Sequence, residues 1–134
     1  MGDKAEELAS NFTKMSGEGR EFAASVINSK NAFDEYAAQD ALQNMTSSRV
    51  AEIASTDDYE GRRNIWEMIG MNEEEFKSFA KTLGMTTFEL IQFLQNAAND
   101  VLDTYVDLGK DLSSTPKKYF DATRHHFSEL VIAE

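Results

Sequence analysis

The amino-acid sequence predicts an all-α fold, a single-domain bundle of five to seven helices spanning residues 1–134, with one long central helix at about 86–112. Three observations carry this prediction. One proline and seven glycines occur among 134 residues, and frequent Ala, Leu, Glu, Gln and Met favour helix over sheet. Apolar residues recur at intervals of three and four along most of the chain, which is the period of a helix packed on one side. The hydrophobic share is 41%, with nine Phe, four Tyr and one Trp, enough large side chains for one core in a chain of this length.

The first helix is expected where Ala5, Leu8, Phe12 and Met15 share a face, with Ser16-Gly17-Glu18-Gly19 ending it. From Arg20 to about Met45, Phe22, Val26, Phe33, Tyr36 and Ala37 keep helical spacing, and the polar patch Asn28-Ser29-Lys30-Asn31 leaves one helix or two open. A short helix is expected around Val50, Ile53 and Ala54. Ser55-Thr56-Asp57-Asp58 then offers oxygens to cap a helix carrying Tyr59, Trp66 and Ile69.

An internal near-repeat marks the next two boundaries. Ile69-Gly70-Met71-Asn72-Glu73-Glu74-Glu75-Phe76 returns as Leu83-Gly84-Met85-Thr86-Thr87-Phe88-Glu89-Leu90. In each copy the glycine suits a left-handed helix end, and Asn72 or Thr86 suits the N-cap of the following helix. Glu75 or Glu89 sits where a reciprocal capping-box bond needs it. Met71 with Phe76, and Met85 with Leu90, have the spacing of hydrophobic staples. Two copies fourteen residues apart fall far short of a solenoid, so duplicated capping chemistry explains them.

Beyond Thr86 the stripe Ile91, Leu94, Ala98, Val101, Tyr105, Leu108 and Leu112 has the three-four spacing of a packed seam. Phe88, Leu90, Phe93, Ala97 and Leu102 widen the apolar face beyond it, which suits a central core helix or a homo-oligomer interface. Gly109 is expected to fray or bend the end of this helix. Thr115 is expected to cap a last helix with Pro116 at its first position, and Tyr119, Phe120, Thr123, Phe127, Leu130 and Val131 form its buried face.

Charge narrows the functions. Twenty-four acids against thirteen bases give a formal net charge of -11, a field that repels nucleic-acid phosphates and anionic lipid. The absence of cysteine removes disulfides, thiolate metal sites and cysteine nucleophiles. The opening residues MGDKAEELAS lack the pattern of an export signal, and no apolar run approaches the ~20 residues of a membrane span. The expectation is no membrane association, with the cytoplasm as the default location.

No enzyme signature stands out. Adjacent His125 and His126 diverge by about 100° on a helix and cannot chelate one ion together. Asp121, His125 and Glu129 share a face, where a surface salt-bridge role is commoner than a metal site. There is no phosphate loop, no calcium loop and no di-iron pattern, so neither metal nor cofactor is expected. If chemistry did occur in the core, His125, His126, Tyr36 and Tyr105 are the polar groups available for it.

Residues 79–93, from Phe79-Ala80-Lys81-Thr82-Leu83-Gly84 to Gln92-Phe93, resemble the helix-turn-helix of DNA-binding regulators, with Ala80, Gly84, Leu90 and Phe93 at the matching positions. The resemblance implies a transcriptional regulator using residues 73–96. A recognition helix offers Arg, Lys, Asn or Gln near its start, whereas this one opens Thr-Thr-Phe-Glu and continues into acids. Direct nucleic-acid binding is therefore the second reading.

The first reading rests on Asp100, Asp103, Asp107 and Asp111, spaced by three, four and four residues as a carboxylate row along the long helix. A solvated face accounts for such a row, and so does docking to a basic protein surface, including one that handles nucleic acid. The sequence thus points to a non-enzymatic protein-interaction module, an acidic adaptor, inhibitor or assembly factor. Its expected contact residues are those four aspartates with Phe88 and Phe93.

Overall fold

The computed structural model describes residues 17–27, 33–55, 64–121, 123 and 132–133. Among these the chain forms helices α1 (Gly17–Ser25), α2 (Glu35–Gln43), α3 (Ser47–Ala54), α4 (Ile65–Met68), α5 (Glu73–Thr82), α6 (Thr87–Asp107) and α7 (Lys117–Asp121). Two short strands, β1 (Leu112–Pro116) and β2 (Ile132–Ala133), pair in parallel. The predicted all-α bundle with a long helix is the fold observed, with this small strand pair as an addition.

The chain from Arg20 to Met45 forms two helices. Asp34 breaks it: its carboxylate accepts the Ala37 amide at 3.0 Å as N-cap of α2, and its own amide donates to the Val26 carbonyl at 2.7 Å. Ile27 and Phe33 form an antiparallel bridge across the intervening segment. Gly17-Glu18-Gly19 was expected to end a helix but opens α1 instead. A side chain at Gly19 would stand 2.7 Å from the Gly70 carbonyl oxygen, so the glycine permits a close approach of α1 to the turn after α4. The expected helix over Ala5–Met15 lies outside the described residues, as do Thr56-Asp57-Asp58 and Tyr59. Ser55 is the C-cap of α3, and the helix start expected after it lies outside the described residues.

Both copies of the near-repeat form the boundaries expected of them. Asn72 with Glu75, and Thr86 with Glu89, exchange side-chain and backbone bonds of 2.8–3.0 Å as two capping boxes. Ahead of each, Gly70 (φ 82) and Gly84 (φ 74) take the left-handed conformation. The amides of Gly70 and Met71 donate to Glu67 and Trp66, and those of Gly84 and Met85 donate to Lys81 and Ala80, the paired bonds of a Schellman ending.

The same ending occurs a third time. Gly109 (φ 69) and Lys110 donate to Val106 and Tyr105 and stop α6 at Asp107. The apolar contact that usually accompanies the motif is replaced here: the Lys110 ammonium lies 3.9 Å from the centre of the Tyr105 ring. Gly109 therefore terminates the helix rather than bending it, and the long helix is shorter than 86–112 by its last turn. Leu112 is buried, but on β1 and not on the helical seam. Thr115 does not cap the last helix; it is fully buried in β1, with its hydroxyl 3.1 Å from that of Ser47.

α6 is the spine. Its buried residues Leu90, Leu94, Ala97, Ala98, Val101, Leu102 and Tyr105 meet Ala38 and Leu42 of α2 and Val50, Ala51, Ile53 and Ala54 of α3 in one core. Phe33 stacks at a tilt on Phe93, with centroids 5.4 Å apart, and Gln39 reaches Asp100, so α2 runs parallel to α6. α3 runs antiparallel: the side-chain amides of Gln95 and Asn99 donate to the carbonyls of Ser55 and Ala54 at 2.8 and 3.3 Å. These bonds satisfy carbonyls that the end of α3 leaves without helical partners. The Arg49 guanidinium does the same for α4, donating to Met68 at 2.6 Å. No described helix is long and apolar enough to cross a membrane.

Candidate interaction surface

The side of α6 opposite the core carries Glu89, Gln92, Phe93, Asn96, Asp100, Asp103 and Asp107, a three-four progression whose members are exposed or half-exposed. Three of the four predicted aspartates therefore line one stripe. Asp100 is half-buried at the border with α2, where its carboxylate accepts from the Gln39 amide at 3.4 Å. Asp103 is half-exposed, and Asp107 is exposed as the last residue of the helix.

Asp111 leaves the row. It lies beyond the Gly109 ending, where it accepts the Ser113 amide at 2.9 Å at the start of β1. That backbone bond, with a further bond from the Ser113 side chain, lowers its carboxyl below the ordinary aspartate range. Its role in the structure is local to the turn.

The aromatic residues divide by environment. Phe88 is 64% exposed near one edge of the stripe, and Phe93 is 40% exposed at the other edge, with one side of its ring against Phe33. Tyr36, expected to face inward, is instead 81% exposed on α2. The reason is the register reset at Asp34: spacing counted from Phe22 and Val26 does not continue into α2, whose buried side is Ala38 and Leu42. The pairs Phe33–Phe93 and Gln39–Asp100 place Tyr36 level with the middle of the α6 stripe, with Asp40 one turn further along. Sequence reasoning missed Tyr36 as a surface aromatic, although Asp34-Glu35 was a readable helix start.

The electrostatics of this surface contrast with the rest of the fold. On α5, Glu73, Glu74 and Glu75 occupy the first turn, where the helix dipole favours acids, and Lys77 pairs with Glu73 at 3.5 Å. On α6, Asp103 and Asp107 stand at the opposite end, where the dipole disfavours them, with no basic residue in the last turn. Residues 31–48 and 82–109, which include all of α2 and α6, contain no Lys, Arg or His. Two neighbouring helices thus present Glu35, Asp40, Glu89, Asp100, Asp103 and Asp107 without a basic residue of their own.

Of the polar groups considered for chemistry, Tyr105 is buried against the core, and burial pushes its phenol above the ordinary value of 10.0. Its hydroxyl has no hydrogen-bond partner among the described residues. His125, His126 and Glu129 lie outside the described residues, and nothing is described of the Asp121 side chain. Among the described residues no three His, Asp or Glu side chains converge as metal ligands would. Comparison with protein-family models, curated proteins and solved structures gives no match.

Proposed function

We propose that the chain is a non-enzymatic protein-interaction module, an acidic adaptor, inhibitor or assembly factor, that docks a basic surface of another protein on the face formed by α2 and α6. One observation carries this reading: the acids of this face lack basic neighbours in their own helices, and two stand at the helix end that disfavours them. Like charges one turn apart cost about 0.2–0.5 kcal/mol each. An acid at a helix C-terminus forfeits roughly 0.3–1 kcal/mol relative to a base there. Solubility alone does not require that placement, because acids on α5 supply charge at no such cost.

A partner with a positive surface gains in two ways. Complementary charge speeds encounter and excludes wrong partners, and exposed Phe88, Phe93 and Tyr36 add apolar area at the same face. A nucleic-acid-handling protein is one source of such a surface. The helix-turn-helix reading gains no support from the start of α6, where Thr87-Phe88-Glu89 presents no basic side chain to a phosphate or base edge.

The test uses two baits in an extract of the native host, the wild type and an Asp100→Asn/Asp103→Asn/Asp107→Asn variant, each washed at low and high salt. The variant should keep its helical circular dichroism and lose the partner, and the wild type should lose it as salt rises. Capture that is indifferent both to the substitutions and to salt overturns the proposal.

A further inference from the structure

No further inference is drawn: the strongest candidate, the exposed aromatic surface of Tyr36, Phe88 and Phe93 along α2 and α6, belongs to the docking face already proposed, and nothing in the structure shows what covers it.

Discussion

Replacing Asp107 by Asn should stabilise the protein, and the size of the gain follows from where the residue stands. Asp107 is the last residue of α6, one position before the Leu108 cap, so its carboxylate lies beside the negative end of the helix dipole. Removing that charge recovers roughly 0.3–1 kcal/mol. Asp103 is one turn back, and relieving the repulsion between the two adds about 0.2–0.5 kcal/mol. The sum is on the order of 1 kcal/mol. No hydrogen bond opposes it, since Asp107 is exposed and its carboxylate bonds to none of the described residues. In urea, with a slope of about 1–3 kcal/mol per molar, the unfolding midpoint should rise by several tenths of a molar. Both terms are electrostatic at an exposed site, so the gain should shrink when the melt is repeated at high salt. A lower midpoint in Asp107→Asn, or a gain that salt leaves untouched, would refute the reasoning that this acid is held against the helix's own preference.

Three further outcomes follow from the local geometry. Gly84→Ala should cost about 1–2 kcal/mol through its left-handed backbone alone, because a Cβ there meets nothing within 4 Å; Gly70→Ala should cost more, since its Cβ also strikes the Glu18 side chain. Denaturant melts that rank the two equally would contradict the close packing of α1. Thr86→Ala should lose ~1 kcal/mol in the same assay by removing the oxygen that accepts the Glu89 amide. Tyr105→Phe should be neutral or stabilising near neutral pH, because it removes a buried hydroxyl without a described partner. Its phenol is raised above 10.0, so the wild type should lose stability as pH climbs past that value and through the raised one, while the variant lacks that loss; parallel pH profiles would rule this out.

What could be read from the sequence was what local chemistry decides. The two glycine turns with their capping boxes involve residues within a few positions of one another, and each bond in them was predictable from spacing. The third ending, at Gly109, was legible only as a frayed or bent helix end, because Lys110 occupies the place of Met71 and Met85, and its contact with Tyr105 is made by charge rather than by an apolar side chain. Thr115-Pro116 has the form of a helix start, yet the Thr115 hydroxyl is taken by Ser47, 68 residues away, in a pairing that no local rule contains. The site followed the same division. Asp100, Asp103 and Asp107 share a helix and hence a face, whereas Asp111 depended on where that helix stopped. Tyr36 joined the surface through the reset at Asp34 and through the lateral pairing of α2 with α6, contacts that arise only in the folded chain.

The most direct test of the acidic docking face is a map of backbone amide chemical shifts in the wild-type protein as a basic peptide is added. The account predicts that shifts concentrate in residues 35–43 and 89–107, along the outward sides of α2 and α6, and collapse as salt is raised. Shifts centred instead on the acidic start of α5 at Glu73, Glu74 and Glu75, or scattered over the whole surface in proportion to local charge, would contradict it.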